Sequence, residues 1–387
     1  FTDSVCMLDL RWRWPAGVVF VERTAMEIDR NEAVRLLERL SNAKGPSGFE
    51  DEVIDVVRDF CDGWATVEEN TLRDGLIVPN GVELDGDRAR PRVMMDAHGD
   101  EVGGMVRAIR ANGTMSFVTL GRFPEGALCG QDVLVRNARG EWLHGTIGVK
   151  PPHFTSAAEK ASHVPPELIL DVGATSAEEA RERFFLRIGE PFVVATQFTF
   201  DAERGIAVGK AFDCRAGAAA MLIALRELAS RGDLAVDVVA SVSAQEEVGE
   251  RGVAAAARAL NPDVAYMFEG CPADDTFLAP DEVQTALHGG PMFRHFDRCM
   301  ITNPRYQRFV LDTAEAAGLR TQESVREGGG TDGGPVHLMD VPCVVSGVPC
   351  RYIHTATSIC AIDDVIESAR VAVEVISHMT SEVICGF

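Results

Sequence analysis

Acidic and histidine side chains stand at the ends of two strand-like segments of this 387-residue sequence. Glu246 and Glu247 follow the apolar run 234–244, and His98 and Asp100 follow a second strand-like run upstream. Ligands of α/β sheets bind in the crevice beyond the carboxyl ends of the strands, so these positions favour chemistry. The sequence therefore predicts a metal-dependent hydrolase whose remaining ligands come from other segment ends.

Three further residues of ligand type stand at such ends. Asp213 opens a predicted helix, Glu269 follows the run 264–268, and His354 follows the segment 350–353. Imidazoles and carboxylates together suit divalent ions such as Zn²⁺, Co²⁺ or Mn²⁺. Two such ions roughly 3.5 to 4 Å apart would share a carboxylate and activate a bridging water.

A hydrolytic site of this kind also needs an acid that binds no metal and takes the proton of the water. The adjacent pair Glu246 and Glu247 meets this need, with one ligand and one base. Each position also has a purely structural explanation, since an isolated His is commonly a hydrogen-bonded structural residue and Asp213 alone is commonly a helix cap. The joint placement after apolar strands favours the metal site, but on spacing alone both interpretations stay open.

The composition limits the class of protein. The chain is 46% hydrophobic and 25% charged, as in ordinary globular proteins. Its 37 Lys and Arg residues against 59 Asp and Glu residues give a net charge of −22, which argues against nucleic-acid or anionic-membrane partners. An acidic cleft would favour a substrate with a free cationic amine, although solvated acidic faces explain the charge equally well. No apolar run approaches the roughly 18 to 20 residues of a membrane span.

The ten cysteines are scattered, and no two of them form a Cys-x-x-Cys pair. This pattern predicts reduced thiols and a cytoplasmic protein rather than a disulfide framework. We interpret residues 1–25, which show no clear periodicity, as an irregular N-terminal extension.

Helix and strand signals alternate along most of the chain and predict an α/β fold. The pairs Ser47 with Glu50 and Ser176 with Glu179 match the capping box of a helix start. Between these helices, short β-like runs alternate with Gly, Pro and Asn turns. We predict a catalytic domain made of 26–105 plus 196–387, interrupted by a small β-rich domain at 106–195.

At these residues the chain resembles the glutamyl aminopeptidase family of dinuclear metallopeptidases, which includes the tetrahedral aminopeptidases. The resemblance covers about 32–379. Any one of its motifs is weak, but seven in the same order are specific. They are Gly45-Pro46-Ser47-Gly48-Phe49-Glu50, Ala97-His98-Gly99-Asp100-Glu101-Val102-Gly103, Lys150-Pro151-Pro152-His153, Asp213-Cys214-Arg215-Ala216-Gly217, Gln245-Glu246-Glu247-Val248-Gly249, Gly329-Gly330-Thr331-Asp332 and Arg351-Tyr352-Ile353-His354.

The resemblance implies a mixed-sheet catalytic domain with the β-rich insert as a dimerisation domain. It also implies two divalent ions per subunit, with Zn²⁺ or Co²⁺ expected. One ion would be held by His98 and Glu269. The other would be held by Glu247 and His354, and Asp213 would bridge the two.

The resemblance assigns roles to four more residues. Glu246 would be the general base, and Asp100 would orient the ring of His98. Thr331 and Asp332 would line the substrate pocket, although a Gly-rich turn with a capping residue explains them as well. The implied enzyme is an aminopeptidase that removes N-terminal residues from short peptides through a two-metal-activated water. Its implied assembly is a homo-oligomer of dimers, up to a dodecamer.

Two residues depart from the family pattern. Cys214 stands where the family usually has Asp or Asn, which would alter metal preference or be a harmless change beside the ligands. Glu269 stands where many members have Asp, and its longer side chain still offers a carboxylate.

Three other functions remain open from the sequence. A dinuclear-metal deacylase or amidohydrolase of small amides would keep the metals and change the substrate. A glycosidase would need two carboxyls about 5 to 9.5 Å apart and no metal. A non-catalytic assembly protein is the third alternative, motivated by Cys214.

Overall fold

The structure, a computed structural model, describes residues 28–86, 88–156 and 167–387. The predicted extension at 1–25 lies outside the described residues. The helices are α1 (Arg30–Asn42), α2 (Asp51–Cys61), α3 (Ala177–Glu182), α4 (Phe212–Ala229), α5 (Val253–Leu260), α6 (Pro304–Ala316), α7 (Gly333–His337), α8 (Ile362–Ser377) and α9 (Ser381–Cys385). The strands are β1 (Ala65–Glu69), β2 (Gly75–Pro79), β3 (Arg92–His98), β4 (Gly103–Ile109), β5 (Met115–Leu120), β6 (Asp132–Arg136), β7 (Trp142–Val149), β8 (Leu168–Asp171), β9 (Pro191–Val194), β10 (Thr199–Asp201), β11 (Ile206–Gly209), β12 (Asp237–Ser243), β13 (Val264–Pro272), β14 (Met292–Phe296), β15 (Gln322–Val325), β16 (Cys343–Arg351) and β17 (Ser358–Ala361).

A large mixed sheet forms the centre of the fold. Its strand order is β1-β2-β12-β3-β13-β16-β17-β11-β10, with β14 and β15 beside β16. The four central strands β12, β3, β13 and β16 run parallel, and the outer pairs in this order are antiparallel, while β14 and β15 are parallel to each other. The carboxyl ends of the central strands therefore meet at one edge of the sheet.

Helices cover both faces of this sheet, which explains why its central strands are apolar without alternation. Every residue of β3 is buried. Val93 and Met95 pack with α1, α2, α4 and α8 on one face, while Met94 packs with α5 on the other. These residues reach opposite faces of the sheet because successive side chains of a strand point to alternate sides.

The strands β4-β5-β8-β7-β6-β9 close into a small barrel with its own apolar core. Met115, Leu170 and Phe192 are fully buried inside it. The barrel begins at Gly103, three residues before the predicted boundary. The predicted class, a mixed-sheet α/β fold with a small β-rich unit, is confirmed.

Two local predictions need correction. The Ser47 and Glu50 capping box is wrong: the Ser47 hydroxyl donates to Asp100 Oδ2 at 2.6 Å, and Glu50 occupies the N-cap position of α2 without a side-chain capping bond. Glu269 does not end its strand, because β13 continues to Pro272 in register with β16. The Ser176 cap is confirmed, since its hydroxyl accepts from Glu179 N at 3.1 Å. None of the described helices is long and apolar enough to cross a membrane.

Candidate metal centre

The parallel strands bring the predicted ligands to one edge of the sheet. His98 is the last residue of β3, and Glu246 and Glu247 follow β12. Glu269 points from the interior of β13, and His354 lies in the turn after β16. Residues far apart in the sequence meet here because β12, β3, β13 and β16 share their direction.

Asp213 lies at the centre of the group. It precedes the regular part of α4, with non-helical φ −83° and ψ 106°. Its Oδ1 is 3.0 Å from His98 Nε2, and its Oδ2 is 3.1 Å from His354 Nε2. One carboxylate thus faces both imidazoles, one oxygen for each.

The three glutamates lie around this core. His98 Nε2 is 3.7 Å from Glu269 Oε2 and 3.9 Å from Glu246 Oε2. His354 Nε2 is 3.7 Å from Glu247 Oε2. The five residues predicted as ligands and the predicted base are therefore all in one cluster.

Hydrogen bonds fix which nitrogen of each ring faces the cluster. His98 Nδ1 lies 3.2 Å from the carbonyl oxygen of Asp100, and His354 Nδ1 lies 2.8 Å from the carbonyl oxygen of Arg122. A carbonyl only accepts, so both Nδ1 atoms carry protons and both Nε2 atoms face Asp213. Ring orientation of this kind is typical of metal-binding histidines.

Burial and close neighbours shift the pKa values of the carboxyls in the cluster. Burial raises the pKa of Glu247 and of Glu269 to about 8, and it raises the pKa of Glu246 well above its usual range. Burial also works to raise the pKa of Asp213, but hydrogen bonds from His354 and His98 bring it below its usual range. Burial thus disfavours the charged forms of three carboxyls here, and a bound divalent cation would favour those charged forms.

The donor atoms also suit divalent ions. Glu247 Oε1 is buried and has no hydrogen-bond partner among the described residues. Ligand atoms of His98, Asp213 and Glu247 lie within 4.8 Å of one another. An unpartnered buried oxygen beside imidazole nitrogens fits the coordination of Zn²⁺ or Co²⁺.

Cys214 lies beside the same cluster. Its thiol is within 4.8 Å of ligand atoms of His98 and Glu269, and it donates to the carbonyl oxygen of Phe268 at 3.1 Å. Burial raises the pKa of the thiol well above its usual range. Cys214, which departs from the family pattern, therefore places a buried neutral thiol beside His98 and Glu269.

Asp100 connects the two halves of the cluster. Its Oδ1 lies 3.5 Å from His98 Nδ1 and accepts from Glu246 N at 2.9 Å. Its Oδ2 accepts from Glu247 N at 3.2 Å. The carboxylate predicted to orient one histidine therefore also holds the backbone of the glutamate pair.

The two residues predicted to bind substrate, Thr331 and Asp332, lie in different environments. Thr331 lines a cavity of about 580 Å³ together with Glu246, Glu247 and other residues of the cluster. Asp332 is absent from the lining; it is 2% exposed and accepts from the Ser243 hydroxyl at 2.6 Å. This placement gives no support to direct substrate contact by Asp332, because its carboxyl is turned into the protein beneath the Gly-rich turn.

The role of Arg122 was missed by sequence reasoning. Its carbonyl, in the segment between β5 and β6, accepts from the His354 ring, and its side chain lines the cavity. A backbone acceptor leaves no signal in residue type, so no motif pointed to it. Residue types at strand ends indicate carboxylates and imidazoles, but they do not indicate the backbone carbonyls that orient those side chains.

The position of Asp213 depends on the close approach of Gly270, which gives a testable prediction. A Cβ at Gly270 would lie 2.1 Å from the carbonyl oxygen of Phe212 and 2.7 Å from Asp213 Cα. Both contacts are to backbone, so Gly270→Ala must displace Asp213. We expect a loss of about 1 to 3 kcal/mol of stability together with weaker metal binding. Thermal unfolding and metal content measure the two effects.

The matched control is Gly232→Ala, whose Cβ would meet nothing within 4 Å. Its stability is expected to stay within about 0.5 kcal/mol of the wild type. A Gly270→Ala protein with wild-type unfolding temperature and metal content would contradict the proposed dependence.

Comparison with known proteins places this geometry in a family. The M42 glutamyl aminopeptidase family matches residues 81–371. The glutamyl aminopeptidase of Lactococcus lactis is 31% identical over 350 residues, which cover 89% of this chain and 96% of that protein.

Solved structures agree with this assignment. The crystal structure of a TET aminopeptidase from a marine sediment archaeon of the Thaumarchaeota has a TM-score of 0.85 and 34% identity, and the match covers 92% of this chain and 99% of that one. The TET1 peptidase of Pyrococcus horikoshii has the same fold, with a TM-score of 0.78 at 23% identity and coverage of 89% and 99%. The chain therefore belongs to the M42 glutamyl aminopeptidase family and is a metal-dependent aminopeptidase.

Proposed function

We propose that the enzyme removes N-terminal residues from short peptides with a free amine and that two divalent cations serve each subunit. Asp213 would be the shared ligand, His98 and Glu269 would complete one position, and Glu247 and His354 the other. The observation that carries the proposal is the carboxylate of Asp213, whose two oxygens face two different imidazoles. Zn²⁺ and Co²⁺ are the ions that this mixture of donors favours.

The chemistry that two bound divalent cations supply is a lower pKa for a shared water and polarisation of the scissile carbonyl. Glu246 would take the proton of that water. Its side chain is 14% exposed, lines the cavity and lies 3.9 Å from His98 Nε2, so it is close to the ligands while open to a substrate. Once protonated, Glu246 would return that proton to the leaving amine.

The size of the cavity favours a small substrate. Its volume of about 580 Å³ lies in the range of small-molecule pockets, which admit the end of a peptide chain and exclude a folded protein. Glu250 and Arg298 also line it, so both charge signs are present along its wall.

The assembly that we propose is a homo-oligomer built from dimers, up to a dodecamer, with the barrel as the dimerisation unit. The support is the TET1 peptidase of Pyrococcus horikoshii, which can assemble into a tetrahedron or a large octahedral shell. We also propose a cytoplasmic location, because the nine cysteines among the described residues are free thiols.

A substrate panel tests the proposed function. Purified protein of known metal content is offered short peptides with free and with N-acetylated termini, and the released amino acid is quantified. The expected result is release from free termini alone, lost after exhaustive chelation and restored by Zn²⁺ or Co²⁺. Equal cleavage of acetylated substrates would indicate the deacylase alternative, and activity that survives chelation would exclude the metal mechanism.

A further inference from the structure

The loop that carries Glu246 and Glu247 is held by an unusual set of hydrogen bonds. Four consecutive backbone amides donate to side-chain carboxylates. They are Ala244 N to Asp74 Oδ1 at 2.8 Å, Gln245 N to Glu50 Oε1 at 3.2 Å, Glu246 N to Asp100 Oδ1 at 2.9 Å and Glu247 N to Asp100 Oδ2 at 3.2 Å. We call Asp74, Glu50 and Asp100 the carboxylate cradle.

The cradle approaches the loop from three separate elements. Asp74 precedes β2, Glu50 is the first residue before α2, and Asp100 follows β3. All three carboxyls are buried, at 1% exposure or less. Three buried acids from places far apart in the sequence therefore hold the path of one loop.

Each member of the cradle is itself held in place. Asp74 accepts from the Asn70 amide at 2.5 Å, and Asp100 accepts from the Ser47 hydroxyl at 2.6 Å. Glu50 Oε1 accepts from Gly48 N at 2.7 Å as well as from Gln245. The acceptors are therefore held by bonds that do not involve the loop.

The loop needs this support because of its backbone. Gln245 has φ +60°, in the left-handed region that residues with a side chain rarely adopt. Such a conformation persists only where the surroundings determine it from several sides, and it is common at functional sites. The turn at Gln245 directs the next two side chains, Glu246 and Glu247, to different places in the cluster.

We propose that Glu50 is a positioning residue for the hydrolysis: by accepting from Gln245 N it fixes the left-handed turn that sets Glu246 in the cavity and Glu247 beside His354. This inference rests on the proposed role of Glu246 as the base. Glu50 touches neither histidine, and its Oε2 has no hydrogen-bond partner among the described residues. Its direct contact with the loop is the bond from Gln245 N, whereas Asp100 also contacts His98.

Three substitutions of Glu50 separate its possible contributions. Glu50→Gln keeps an oxygen acceptor in place, Glu50→Asp keeps the carboxyl group but withdraws the acceptor by about one methylene, and Glu50→Ala removes it. We expect kcat for a short peptide to fall about 10- to 100-fold in Glu50→Ala and Glu50→Asp with KM little changed, because displacing a reacting group by about 1 Å has effects of this size. Glu50→Gln is expected to stay within about threefold of the wild type, since the acceptor remains.

Hydrogen exchange supplies a readout that does not need turnover. The amides of 244–247 are expected to exchange faster in Glu50→Ala and Glu50→Asp than in the wild type or Glu50→Gln, because the local opening free energy is lowered. Unfolding temperature and metal content are recorded for each variant. If Glu50→Ala fails to fold, Glu50→Asp, with a smaller change of volume, gives the same comparison.

Asp364→Asn is the matched control. Asp364 is also fully buried, and it accepts from two backbone amides, His288 N at 2.7 Å and Gly290 N at 2.9 Å, outside the metal centre. Its variant is expected to lose stability without a change in kcat or in the exchange of 244–247.

Three results would overturn the proposal. They are wild-type kcat in folded Glu50→Asp and Glu50→Ala, an equal loss in Glu50→Gln, or an equal loss in Asp364→Asn. Failure of the proposed function itself looks different: the wild type would release no amino acid from any peptide, while the exchange comparison would still report on the loop.

Discussion

Glu246→Gln is expected to lower kcat by about 10²- to 10⁴-fold while the metal content stays at the wild-type level. Gln has the shape of Glu but cannot accept a proton from water, and Glu246 is not assigned as a ligand. Its Oε2 lies 3.9 Å from His98 Nε2, so the substitution leaves the assigned ligands untouched. Steady-state kinetics with a short peptide, together with metal analysis of the same sample, measures both quantities.

The control for this prediction is Glu190→Gln in the barrel. The side chains of Glu190 and Glu246 are similarly exposed, at 15% and 14%. Burial raises the pKa of Glu190 as well. Unlike Glu246, Glu190 pairs with Arg136, at 3.5 Å. Its replacement is expected to leave kcat within about threefold, as for a substitution away from the site. A fully metallated Glu246→Gln protein with kcat within tenfold of the wild type would exclude Glu246 as the base.

Asp213→Ala is expected to abolish the binding of both cations and to lower kcat by at least about 10³-fold. The reason is the position of its carboxylate, which faces His98 with one oxygen and His354 with the other. Removing it takes a ligand from both positions and leaves two imidazoles with no acid between them. Metal content after dialysis against a weak chelator is the direct measurement.

Single-ligand variants provide the comparison for Asp213. Glu269→Ala and Glu247→Ala each remove a ligand from one proposed position, so each is expected to retain up to one ion per subunit. Asp213→Ala should retain none. An Asp213→Ala protein that still held two ions after dialysis would contradict a shared carboxylate, whatever its activity.

Sequence reasoning predicted residues that the structure brings into one cluster, because most of them follow strongly apolar strands. His98, Glu247 and His354 could be found from strand ends alone, since a parallel sheet collects these ends at one edge. Glu269 was found although its strand continues three residues further to Pro272, because pairing with β16 extends β13 beyond its most apolar part. The mixed α/β fold with a small β-rich unit followed from the same patterns of periodicity and turns.

The predictions that the structure does not support concern side chains with hydrogen-bond partners remote in the sequence. Ser47 and Glu50 have the spacing of a local cap, but Ser47 bonds to Asp100 and Glu50 bonds to Gln245. Asp332 looks like a pocket residue next to Thr331, yet its carboxyl is directed to Ser243. A local pattern cannot choose between a near and a distant partner of equal chemistry, because tertiary packing decides between them.

The bond between the His354 ring and the carbonyl of Arg122 has a consequence for how this protein can be altered. Arg122 lies between β5 and β6, so the segment that builds the barrel also orients a histidine of the proposed metal centre. Grafting the α/β portion without its insert would free that imidazole to rotate. The two units should therefore be engineered together.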